Sequence, residues 1–208
     1  MKRFITILLA AGLLLGCLPL SGCAGKPPAM EEVYDRLVYV IEESMKVNTV
    51  IFGEGLPVYE RDSELAELSH MYYGFNQNGV EIVSPYSRYA STGEIRDAMA
   101  RVYSKEYRES LEEMLFTGYA YTELQDAVLS ARYTEDSYWF YQAEDYDALT
   151  HGMRVYDYAS MTILPSSNAT YLKISVQSYS ESNPSRWSTR ELTFVRENGN
   201  WYLDVPSC

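Results

Sequence analysis

The sharpest concentration of reactive side chains lies between residues 133 and 147. There Glu135, Asp136, Glu144, Asp145 and Asp147 flank Tyr138, Trp139, Phe140, Tyr141 and Tyr146. Large rings anchor protein interfaces, and neighbouring carboxylates favour a basic partner. Tyr138, Trp139, Tyr141, Glu144 and Asp145 are therefore the candidate partner-binding residues: a ring fills a pocket while acids meet basic groups. The plainer reading of the same stretch is a core strand between solvated turns. Glu54, between Gly53 and Gly55, is a lesser candidate, and an ordinary turn carboxylate explains it better.

Other chemistry is sparse. His70 and His151 are the two histidines, and either could act as a base, although packing or surface roles are commoner. The sequence has no zinc-type His/Cys spacing, no EF-hand loop, no glycine-rich phosphate loop and no serine nucleophile elbow. No catalytic residue, metal ligand or cofactor is expected. Asp and Tyr are plentiful enough for proton abstraction in an apolar pocket, but spacing alone places no such pair around one cavity.

The N-terminus carries an address. Lys2 and Arg3 precede an uncharged, almost wholly apolar run over residues 4–20, followed by Leu20-Ser21-Gly22-Cys23. A positive start, a short apolar run and small residues at a cut site describe a secretory signal. The quartet resembles the bacterial lipobox, which implies cleavage before Cys23 and diacylglycerol on its sulfur. Each buried methylene contributes about 0.8 kcal/mol, so two acyl chains anchor firmly where one is marginal. The expected organisation is a signal peptide over 1–22, a lipidated tether over 23–29 and one domain over 30–208. The expected location is the extracytoplasmic face of the cell membrane. Cys17 falls in the signal and Cys23 takes the lipid, so no disulfide framework is available. Cys208 reads as a frayed terminal residue.

Net charge is −12, and loss of Lys2 and Arg3 with the signal leaves −14. Such a surface repels nucleic acid and anionic lipid, so a phosphate-backbone partner is excluded. Tyrosine supplies 20 of 208 residues, which suits either a core near water or a contact surface for a peptide or glycan.

These residues need a scaffold, and the periodicity supplies one. Val33, Leu37, Val40, Ile41, Ser44 and Met45 predict a helix over residues 30–47. Residues 64–70 fit a short helix, and residues 80–83 a short strand. Ser91-x-x-Glu94 has capping-box form, and Ser104 looks like a second N-cap, predicting two helices over 93–116. Thr122-x-x-Gln125 predicts a third, carrying Leu124, Ala127 and Val128. The period then changes to two. A hairpin pairs 131–134 with 138–142, and four longer strands span 155–164, 170–179, 190–196 and 201–205. Turns fall at 165–168 and 180–184, and Asn198-Gly199 is a hairpin signal.

Helices followed by an antiparallel meander predict an α+β domain, with N-terminal helices packed on one face of a curved, cone-like sheet of about four to six strands. The layout resembles the nuclear-transport-factor-2-like (cystatin-like) fold. Residues 95–111, centred on Val102-Tyr103-Ser104-Lys105-Glu106-Tyr107, are similar to a helical segment in secreted relatives of cell-wall DL-endopeptidase inhibitors. The aromatic strand 138–142 and the Glu197-Asn198-Gly199-Asn200-Trp201 turn look like theirs too. The resemblance covers residues 92–205 and carries over no functional residue. It implies a non-enzymatic, membrane-anchored module that binds an envelope protein and restrains a cell-wall hydrolase. A small-ligand binder with a pocket between sheet and helices, and a pocket enzyme of acid/base type, are the alternative readings.

Overall fold

The computed structural model describes residues 25–59, 80–120, 128–129, 131–143 and 153–208. Cys17, Cys23, His70, Glu144, Asp145, Tyr146, Asp147, His151 and the helix expected over 64–70 lie outside them.

Helix α1 spans Met30–Ile51. It outruns its expected end at residue 47 because Val47, Val50 and Ile51 continue the buried stripe. Buried Arg132 also satisfies its last carbonyl, donating to Ile51 O at 2.7 Å, and holds the turn beyond it through Gly53 O at 2.5 Å. A cation at this helix end is favoured by the dipole as well. Helix α2 is Thr92–Val102, and α3 is Lys105–Phe116. Both predicted caps form: Glu94 N donates to Ser91 Oγ at 3.2 Å, and Tyr107 N to Ser104 Oγ at 3.1 Å. The Glu94 carboxylate reaches back one residue further than a standard capping box, accepting from Ala90 N at 2.7 Å.

The strands are β1 Val80–Ile82, β2 Tyr119–Ala120, β3 Val128–Leu129, β4 Tyr133–Glu135, β5 Phe140–Ala143, β6 Arg154–Ile163, β7 Tyr171–Ser180, β8 Asn183–Glu197 and β9 Asn200–Leu203. All pair antiparallel. One sheet has the order β6-β7-β8-β9, a second β1-β5-β4, and β2 pairs with β3 alone. The α+β class and the packing of helices on antiparallel sheet therefore hold, with the strands divided between sheets. Val128 lies in β3 rather than in a third helix, and residues 124–127 fall outside the description. Pairing with β2 overrides the local helical signal.

Register between β6 and β7 shifts between Asp157 and Thr162. There Ser160 Oγ donates to Asp157 O at 2.6 Å and accepts from Gln177 N at 2.8 Å. Such a bulge bends a strand and increases its twist. Strand β8 starts at Asn183, well before the expected 190. Residues 183–191 are exposed on both faces, so no period-two signal marks them, yet they pair with β7 through a register shift between Ser178 and Ser180. The turn shrinks to Glu181 and Ser182, with Ser180 opposite Asn183.

One apolar cluster runs through the domain. Leu37, Val40 and Ile41 of α1 and Ile95 and Met99 of α2 join Leu172, Ile174, Leu192, Phe194 and Leu203 of the four-stranded sheet. Burial of each large side chain contributes about 1.5–3 kcal/mol. The 204–208 segment belongs to this core. Cys208 is only 5% exposed, which corrects its reading as a frayed terminus. Its carbonyl accepts from Arg190 Nη2 at 3.1 Å, and Tyr156 Oη donates to Ser207 O. Burial pushes the Cys208 thiol up to about 11 and the Tyr156 hydroxyl up to about 12.

A buried hydrogen-bond chain ties this segment to α1. Tyr103 Oη donates to Asn48 Oδ1, and Asn48 Nδ2 to Ser207 Oγ at 2.9 Å. The Ser207 and Ser44 hydroxyls are 2.6 Å apart, and Ser44 Oγ donates to Ile41 O at 2.7 Å. Because Ser44 has one proton, Ser207 is the donor in the serine pair. Tyrosine thus serves the core near polar partners: Tyr133 Oη similarly donates to Val50 O at 2.9 Å.

Candidate functional site

The turn between β4 and β5 is built around Asp136. Its Oδ1 accepts from Tyr138 N at 2.7 Å and Trp139 N at 2.8 Å, and Asp136 N donates to Trp139 O at 3.0 Å. An Asp side chain that mimics a backbone turn in this way fixes the residues following it. It places Tyr138 outward, 83% exposed, and leaves Trp139 half-buried.

The chain then enters β5, where Phe140, Tyr141 and Gln142 are all buried. Phe140 packs against Tyr133, with ring centroids 5.6 Å apart. Tyr141 is 2% exposed, and its hydroxyl lies 3.4 Å from Asp136 Oδ2. Tyr141 is accordingly a core residue and is corrected as a partner contact. Glu135 also turns inward in function: its carboxylate accepts from Thr92 N at 3.0 Å and Thr92 Oγ1 at 2.6 Å, at the start of α2. A carboxylate is favoured beside a helix N-terminus, so Glu135 docks α2 to the hairpin.

Beside this turn runs a second one. Ser87 N donates to Ser84 O at 3.0 Å across Pro85 and Tyr86, and proline suits the second position of such a turn. Tyr86 is 94% exposed. Val83 N donates to Phe140 O at 2.8 Å, and Ser84 N to Pro57 O at 2.8 Å. These bonds hold the 57–59 segment, residues 83–85 and the β4–β5 turn side by side. Between them lies a groove of about 210 Å³, lined by Tyr59, Val83, Ser84, Pro85, Ala90, Tyr138, Trp139 and Phe140.

Four of the eight described lining residues are aromatic, and none is Asp, Glu, Lys, Arg or His. The groove can accept an apolar or aromatic side chain, and the rings can stack on it. Among the described lining residues its polar side-chain groups are the Tyr59, Ser84 and Tyr138 hydroxyls and the Trp139 indole N–H. The structure thus brings together Tyr138 and Trp139 among the predicted site residues. Sequence reasoning missed Tyr59, Pro85 and Tyr86. The Pro-Tyr pair in a turn-rich stretch was the available signal, but only the β1–β5 pairing puts it next to Trp139.

A second concavity, of about 300 Å³, is lined by Pro28, Glu32, Val33, Arg36, Arg196, Gly199, Asn200 and Trp201. Its arginines hold the fold. Arg36 donates to Trp201 O at 3.0 Å and Arg101 O at 3.2 Å, and its guanidinium lies over Tyr39 and Tyr202 at 5.3 and 5.2 Å. Arg196 sits over the Trp201 ring at 5.9 Å.

Glu54 is exposed in the turn after α1. Among the described residues no three His, Cys, Asp or Glu side chains are grouped to hold a metal ion, and no helix is long and apolar enough to cross a membrane. No protein-family model and no curated protein matches the chain.

Proposed function

We propose that this protein is a non-enzymatic binding module, held by acyl chains on Cys23 at the extracytoplasmic face of a bacterial membrane. It captures an apolar or aromatic side chain of an envelope protein in the groove beside Tyr138 and Trp139. The most specific version has a cell-wall hydrolase as the captured partner. The observation that carries the reading is the shape of the site: an aromatic-walled groove flanked by two outward rings, Tyr138 and Tyr86. Monomeric proteins expose such rings together where they meet a partner. The acids of the expected lobe, Glu144 and Asp145, follow β5 closely in sequence and add negative charge for a basic partner.

The test is capture from envelope extract by the wild type and by the Tyr138→Ala/Trp139→Ala variant, with captured proteins identified by mass spectrometry. Truncating a hot-spot ring typically costs about 2 kcal/mol or more, a thirty-fold loss of affinity. The expected result is a protein retained by the wild type and lost from the variant, whose urea midpoint stays near that of the wild type. Identical captured sets would refute the groove as the binding site.

A further inference from the structure

We infer that the tether is docked to the domain, so that the end of the domain carrying the β6–β7 turn and the β8–β9 hairpin rests on the bilayer while the aromatic groove faces away from it. This rests on lipidation at Cys23.

The chain that follows Cys23 is not a loose leash. Ala169 N, in the β6–β7 turn, donates to Gly25 O at 2.8 Å. The contact is close enough that a Cβ added at Gly25 would lie 3.1 Å from Ala169 Cβ. Pro27 and Pro28 are half-buried, and Pro28 shares a wall with Val33, Asn200 and Trp201. Glu32 N then donates to Ala29 O at 3.1 Å as α1 begins. The path of residues 25–29 is therefore set by the domain.

Two further residues reach Cys23. Even fully extended they span about 7 Å. The acylated residue is thus confined to the neighbourhood of residues 165–170. The β8–β9 hairpin lies at the same end, because Arg196 N donates to Thr170 O at 2.9 Å. Exposed Ser166, Thr170, Asn198 and Asn200 stand at this end beside exposed Lys26, Glu31, Glu32 and Arg196, a polar surface of mixed charge. An acidic domain has no electrostatic reason to approach an anionic bilayer, so the short docked tether is what sets the orientation.

Helix α1 separates this base from the groove. Its first residues stand at the tether, and its last carbonyl is held by Arg132, next to β4 of the groove-bearing sheet. Its 22 residues make a strut about 33 Å long at 1.5 Å per residue. The groove therefore lies up to about that distance from the tether.

The test uses the full-length lipidated protein in vesicles of phosphatidylethanolamine and phosphatidylglycerol containing a headgroup-labelled acceptor lipid. A fluorescent donor is attached at Ser166→Cys in one sample and at Tyr86→Cys in another, with acylation of Cys23 read by mass spectrometry. Transfer several-fold stronger from position 166 than from 86 is the expected result. Inserting a long Gly-Ser spacer between Ala24 and Gly25 should then shrink the difference. Equal transfer from both sites in acylated protein overturns the orientation and leaves the anchor standing. An unacylated Cys23 overturns the anchor, and the orientation with it.

Discussion

The chain from Tyr103 through Asn48 and Ser207 to Ser44 can be tested by a double-mutant cycle. In Asn48→Leu the side-chain volume is roughly kept, so the main loss is polar. Tyr103 Oη loses its acceptor and Ser207 Oγ loses a donor. A hydroxyl donor left unsatisfied in a buried site costs about 1–3 kcal/mol. Ser44 also stands beside the Tyr103 oxygen and recovers part of that, so about 2 kcal/mol is expected for the single change. Tyr103→Phe removes the donor and orphans Asn48 Oδ1 instead, again costing about 1–2 kcal/mol. In the double variant both members of the Tyr103–Asn48 pair are apolar, and only the loss of the donor to Ser207 Oγ remains. Its destabilisation should fall short of the sum of the singles by about 1 kcal/mol or more, as expected for groups in one network. Urea unfolding followed by tryptophan fluorescence reads this directly, with an unchanged dependence on urea showing that the native fold persists. Costs that add to within about 0.5 kcal/mol would refute the claim that these residues act as one network.

Two further outcomes follow from the same geometry. Burial raises the folded-state pKa of Cys208 to about 11 and of Tyr156 and Tyr158 to about 12, from ordinary values of 9.0 and 10.0. Below pH 9 these groups are neutral in both states and give no pH dependence. Above it the unfolded chain ionises first, so stability should decline from about pH 9 towards 12. Cys208→Ser should delay the onset to about pH 10, which chemical denaturation across that range would reveal, and an unchanged onset would count against the thiol. In the β8–β9 turn Asn198 has φ 51° and Gly199 φ 86°, and a Cβ at 199 would touch nothing. Gly199→Ala should therefore destabilise purely through the backbone, by about 1–2 kcal/mol. A urea midpoint equal to that of the wild type would show that the turn is not held in this conformation.

The legible parts of the fold were those where burial has a period. Helix α1 was readable because Val33, Leu37, Val40 and Ile41 line one face, and β7 because buried Leu172, Ile174 and Val176 alternate with half-buried neighbours. Residues 183–189 of β8 were not readable, because neither of their faces is buried and pairing alone makes them a strand. The site was half legible. Composition pointed to residues 133–147, yet Tyr138 stands in the exposed turn fixed by Asp136 while Tyr141 falls in β5, where Phe140, Tyr141 and Gln142 are all buried. Glu135 looked like a solvated acid because its partner, the start of α2, lies 43 positions away. Arg132 gave no signal, since capping α1 from another element leaves no local pattern. Cys208 misled because position in sequence says nothing about packing.

The docking of residues 204–208 bears on the order of events as the chain is made. Ser207 fills a slot in the middle of α1, and Cys208 is bounded by Tyr156 and Arg190 through their bonds to this segment and its carbonyl. Until that tail has emerged, the long helix and the sheet share an open seam lined by Ser44, Asn48 and Tyr103, which are wetted rather than matched. The seam closes when residues 204–208 dock, which is a late step for a chain made from its N-terminus, since these residues follow every helix and strand they bridge.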